Sequence, residues 1–141
     1  MASRRAKTPT FDPRSQAREH ALSLLYEAET KDLNGRQILA TLVVPPEDVT
    51  RLLVEGVVDH QAEIDQIISD QAAGWTLERM PALDRSILRL GVFELLHRRE
   101  VPVAVILDEA VELAKTFSTD DSGRYVNGVL AAVARLRPAT E

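Results

Sequence analysis

The chain contains no cysteine, and that one absence removes disulfides and thiolate metal sites together. Its three histidines, His20, His60 and His97, stand far apart with no ligand-spaced partner, so neither a metal site nor a cofactor is expected. The six glycines are scattered singly, which excludes a glycine-rich phosphate loop. Three phenylalanines, two tyrosines and one tryptophan are too few for the broad stacking sheet of an RNA-recognition domain. No apolar run approaches the roughly 20 residues of a membrane helix, and the N-terminus lacks the apolar segment of a signal peptide. A soluble, cytoplasmic protein without membrane contact is expected. No serine occupies a nucleophile-elbow context. The acidic pairs offer no acid–base couple either. Asp108 and Glu109 are helix neighbours pointing about 100° apart, and Asp120-Asp121 reads as helix capping. An enzyme is not expected.

What is present is helical periodicity. At 141 residues the chain is long enough for one domain with a sizeable core. Residues 1–11 read as a flexible basic arm, and 12–141 as a single all-helical domain. Asp12-Pro13 is a helix start, followed by a stripe of Ala17, Ala21, Leu24, Leu25 and Ala28. Asn34-Gly35 breaks that helix, and Ile38, Leu39 and Leu42 predict a short second one. Val49, Leu52, Leu53, Val57, Ile64, Ile67 and Ile68 predict one long helix, bent near Gly56 and ending by Gly74, with His60 half-buried on its apolar side. After a connector containing Trp75, Thr76 and Pro81, a strong helix spans Leu83 to His97. No stretch alternates at period two, so no sheet is indicated. The fold class is all-α, a compact single domain of six or seven helices.

The stretch from Ile106 to Arg135 carries most of the functional information. Leu107, Ala110, Val111 and Ala114 form one apolar stripe, and Tyr125, Val129, Ala132 and Val133 a second. Between them Ser118, Thr119, Asp120 and Asp121 offer four successive N-caps. Asn127-Gly128 falls inside the second helix, where glycine costs about 1 kcal/mol relative to alanine; close packing against its backbone is the expectation. Arg124 and Tyr125 follow the capping loop, where backbone N–H groups and a cation together favour phosphate. Tyr125 suits stacking on an unpaired base; equally, it can cover the core edge with its hydroxyl in water, and Tyr26 has the same ambiguity. Net charge is −5, yet residues 1–18 carry five cations, Arg4, Arg5, Lys7, Arg14 and Arg18, against Asp12 alone. A basic arm on an acidic body can still meet a polyanion, because screening makes phosphate contact local.

Three segments resemble the NusB family of transcription antitermination factors: LDRSILRLGVFELL (Leu83–Leu96), VPVAVILDEAVELAK (Val101–Lys115) and FSTDDSGRYVNGVL (Phe117–Leu130). AREHALSLLYEAE (Ala17–Glu29) is similar to that family's first helix. The resemblance covers nearly the whole chain and is weakest between residues 32 and 80. It implies two small helical bundles, no catalysis, and a partner, the small-subunit ribosomal protein NusE. Together the two proteins would bind boxA RNA of ribosomal RNA leaders and, with other Nus factors and RNA polymerase, suppress premature termination.

Carried over by motif, the resemblance assigns RNA binding to Arg4, Arg5, Lys7, Arg14, Arg18, Asp121, Arg124 and Tyr125, and NusE contact to Tyr26 and Asp84. Three departures stand out. The basic arm is interrupted by Pro9 and Pro13, Tyr125 replaces the commoner phenylalanine, and Asp108 stands where asparagine is usual. They leave room for a homodimer that hides the RNA face. The alternatives are a helical protein–protein adaptor without RNA binding, and a module like the N-terminal part of ribosomal RNA cytosine methyltransferases. The latter would need a cofactor-binding βα pattern that this sequence lacks.

Overall fold

Proline at position 13 opens α1 (Pro13–Thr30), and its expected stripe is the face that enters the core: Ala17, Ala21, Leu24 and Ala28 are all buried. The structure, a computed structural model, describes residues 13–72 and 74–137. The basic arm and its cap Asp12 therefore lie outside the described residues. After α1, Asn34 caps α2 (Gly35–Ala40) through a reciprocal box. Its Oδ1 accepts from Gln37 N at 2.9 Å, and Gln37 Oε1 accepts from Asn34 N at 2.8 Å.

The long helix expected next is two helices, α3 (Asp48–Asp59) and α4 (Gln61–Gln71). The break falls at His60 (φ −115°, ψ 17°), not at Gly56. His60 N still donates to Gly56 O, and His60 O accepts from Ile64 N, so the chain turns without orphaning these groups. Gly56 stays helical and serves packing instead. A Cβ there would overlap the Phe93 ring.

A single 3₁₀ turn, Leu77–Arg79, occupies the connector before α5 (Ala82–His97). From Ser86 to Leu95 α5 is buried except at Arg89, as a helix surrounded by others must be. It touches α1, α3 and α4 on some faces and α6 (Val103–Phe117) and α7 (Asp120–Ala134) on others. Helices α1 to α3 pack together, α6 packs on α7, and α5 joins the two groups into one continuous core. The described residues form seven α-helices and no strand, as the periodicity requires. None of these helices is long and apolar enough to cross a membrane.

One packing expectation is overturned. Asn127 and Gly128 are both exposed, and a Cβ on Gly128 would meet nothing within 4 Å among the described residues. The glycine of this region that lets helices approach is Gly91, where a Cβ would sit 2.6 Å from Leu130 Cδ1. Gly128 leaves a bare patch of helix backbone facing outward.

Candidate nucleic-acid interface

The turn from α6 to α7 is held by a chain of hydroxyls. Thr119 is the N-cap of α7, and its Oγ1 accepts from Ser122 N at 2.9 Å. Ser122 Oγ lies 3.0 Å from Ser118 Oγ and donates to Asp84 Oδ2 at 2.8 Å. Asp84 sits in the first turn of α5, so this contact locks the start of α7 to the start of α5.

That placement bears on one assignment. Asp84 is only 5% exposed, with Oδ2 committed to Ser122 and Oδ1 buried without a hydrogen-bond partner among the described residues. Little of its carboxylate reaches the surface of this chain. It positions the loop.

Outward from this lock, Asp121 and Arg124 project into solvent and pair with each other one turn apart. Asp120 and Asp121 also fill the first turn of α7 with negative charge, and Thr119 occupies one of its free N–H groups. The helix end is therefore not an open phosphate site. Any anion reaching Arg124 must compete with Asp121.

Tyr125 lies half-buried behind the pair, its phenol oxygen enclosed and without a hydrogen-bond partner among the described residues. Burial pushes this phenol above the usual tyrosine range, and the Asp84 carboxylate adds to the shift. The Trp75 ring lies 6.1 Å from the Tyr125 ring, tilted by 51°, and is about half exposed. Trp75, Met80 and Pro81 face Asp84 and Tyr125 across a mostly apolar cleft of about 250 Å³. Trp75 has no role in the sequence reading; its only signal there is a large aromatic in a polar connector. Arg85 holds that connector down, donating from Nη1 to the carbonyls of Leu77 (2.6 Å) and Met80 (2.8 Å). A half-exposed tryptophan against a tyrosine packed on the core edge, with a cation following the same loop, is chemistry that can stack an unpaired base and meet its phosphate.

The N-terminal cations divide. Arg4, Arg5 and Lys7 lie outside the described residues, and Arg14 is exposed on the first turn of α1. Arg18 is not on the surface. It is 3% exposed and makes a two-pronged bond to Glu94, Nε to Oε2 at 2.7 Å and Nη2 to Oε1 at 2.9 Å. Glu109 stands 3.7 Å from its Nη1. With its guanidinium sealed between α1, α5 and α6, Arg18 is withdrawn from phosphate contact and becomes part of the core. Tyr26 remains exposed on the outer face of α1. The histidines need correction as well: His60 and His97 stack with ring centroids 3.8 Å apart, although 36 positions lie between them.

The model of the NusB family matches residues 15–135. The transcription antitermination protein NusB of Beutenbergia cavernae is 48% identical, over 89% of this chain and 91% of that protein. NusB of an Arthrobacter species is 45% identical, over 89% and 96%. Among solved structures, T. maritima NusB superposes with a TM-score of 0.81 at 32% identity, covering 90% of this chain and 94% of that one. A crystal structure of antitermination factors NusB and NusE in complex with double-stranded RNA gives a TM-score of 0.74 at 28% identity, covering 87% and 96%. The all-helical fold, the α5–α7 motifs and the relatives agree: this chain belongs to the NusB family.

Proposed function

We propose that this protein is a transcription antitermination factor that binds boxA RNA of ribosomal RNA leaders jointly with the ribosomal protein NusE. The observation carrying the RNA contact is the cluster at the start of α7, where Asp121, paired with Arg124, lines the same cleft as Tyr125 and Trp75. The site is small. A single cation and two rings make a modest contribution alone, which is why a second protein sharing the RNA fits the geometry. In this reading the chain works in the cytoplasm with other Nus factors and RNA polymerase and catalyses nothing itself. Tyr26 on α1 is the residue assigned to NusE, and Arg14 with the basic arm extends the RNA surface.

Gel shifts of a single-stranded boxA RNA, with and without NusE, test the proposal. The pair binds more tightly than either protein, and affinity falls as salt rises. The variant Arg124→Ala with Tyr125→Ala weakens binding and flattens the log–log salt slope by about 0.7, the share of one phosphate on a single strand. Unchanged binding by that variant removes the site. NusE binding without RNA binding by the pair selects the adaptor reading instead.

A further inference from the structure

We propose that His60, Glu63 and His97 form a site for one divalent transition-metal ion of the zinc class. Folding brings these side chains together from the α3–α4 break, the first turn of α4 and the last turn of α5. Their ligating atoms all lie within 4.8 Å of one another. Glu63 Oε1 is the common neighbour, 3.1 Å from His97 Nε2 and 3.7 Å from His60 Nδ1. A tetrahedral ion with bonds of about 2.0–2.1 Å holds its ligand atoms about 3.3 Å apart. Both nitrogens therefore already approach one carboxylate oxygen at close to coordination spacing.

The surroundings favour an ion. The Phe93 ring is buried and lies 5.5 Å from the His97 ring and 6.0 Å from that of His60, an apolar floor that limits where both imidazoles can go. The outer side is open, with His60 and His97 side chains 40% and 30% exposed and Glu63 52%. That freedom matters, because the two rings stack at 21° with their lone pairs running side by side, and the imidazoles must rotate out of the stack to aim at a shared ion. The C-terminal end of α5, where His97 sits, carries the negative end of the helix dipole. Two imidazoles and one carboxylate leave a fourth position for water, and nitrogen–oxygen donor sets of this kind take Zn²⁺, Co²⁺ or Ni²⁺. A shared ion would engage both rings with Glu63, where the hydrogen bond now engages His97 alone. Bound there, the ion clips α5 to the α3–α4 break and stabilises the folded chain.

The test uses the metal-free full-length protein. Zn²⁺ titrated by calorimetry binds with one equivalent, Co²⁺ develops the visible absorbance of a tetrahedral site, and the melting temperature rises with added Zn²⁺. His97→Ala and Glu63→Gln each weaken binding by more than about tenfold, while His20→Ala, on α1, binds as the parent does. Because a variant can lose its fold, NMR of the unmodified protein gives a second readout. Zn²⁺ shifts the imidazole signals of His60 and His97 and leaves those of His20. No saturable binding, binding retained by both variants, or imidazole shifts confined to His20 each overturns the proposal.

Discussion

Asp84 Oδ2 accepts a hydrogen bond from Ser122 Oγ at 2.8 Å, and through it the first turn of α5 sets the position of the first turn of α7. Both residues are buried, so the bond is made by a charged acceptor out of water. Ser122→Ala leaves that carboxylate without its partner and costs about 1–3 kcal/mol. Urea denaturation reads the loss. Because the lock holds the α6–α7 turn, boxA binding by the pair with NusE weakens in the same variant. A variant as stable as the parent shows that the bond does not hold the turn.

Arg18 and Glu94 join α1 to α5 inside the core. Removing Glu94 takes both of its hydrogen bonds from the buried Arg18 guanidinium and leaves it Glu109 at 3.7 Å; breaking such a pair costs about 3–5 kcal/mol. Glu94→Ala lowers the free energy of unfolding, read by urea denaturation, by that amount, whereas the double replacement Arg18→Met with Glu94→Leu recovers much of it. RNA affinity of the double variant stays at the parental level, the outcome expected of a guanidinium buried in the core. A fall in affinity with the fold intact returns Arg18 to the RNA surface.

Asp121 competes with RNA for Arg124. Asp121→Asn frees the guanidinium and removes a negative charge beside it, so boxA binding tightens. The exposed pair is screened, which keeps the gain to about two- to fivefold at moderate salt. The gain shrinks further as salt rises. Fluorescence anisotropy at two salt concentrations measures both, and weaker binding by the asparagine variant counts against the competition.

The Tyr125 phenol is raised by burial first and by Asp84 second. A raised pKa on an acid means the folded state holds its proton more tightly than the unfolded chain. The resulting stability is complete below the unfolded tyrosine pKa of about 10 and is lost as pH climbs through the higher folded value. Tyr125→Phe removes that alkaline loss. Near neutral pH it is neutral or stabilising, because it deletes a buried hydroxyl with no partner among the described residues and keeps the ring. Melting curves from pH 7 to 11 compare the two proteins.

Gly128 is an exposed glycine inside α7 with open space where a side chain would go. Gly128→Ala raises stability by about 0.5–1 kcal/mol, the ordinary helix gain over glycine. If the bare backbone is a contact surface, the same variant binds the NusE–RNA assembly less tightly. A destabilised variant contradicts the open space.

The amino-acid sequence by itself determined the family, the apolar faces and the helices, apart from the break at His60 that divides α3 from α4. Helix periodicity is local: Ala17, Ala21, Leu24 and Ala28 share a face whatever lies opposite, and all four are buried. For the same reason Asp121, Arg124 and Tyr125 are legible as neighbours, since they fall within two turns of one helix. Tertiary structure decided what each charged or aromatic side chain meets. Arg18 reads as one more surface cation until Glu94, 76 positions away, takes it into the core. Asp84 reads as a surface carboxylate until Ser122, 38 positions on, buries it. Trp75 beside Tyr125 and His60 against His97 are products of the same kind of distant pairing. Periodicity along one helix names the apolar face but carries no record of the partner on the next helix. For a charge or a ring near the edge of that face, the partner alone decides between solvent and interior.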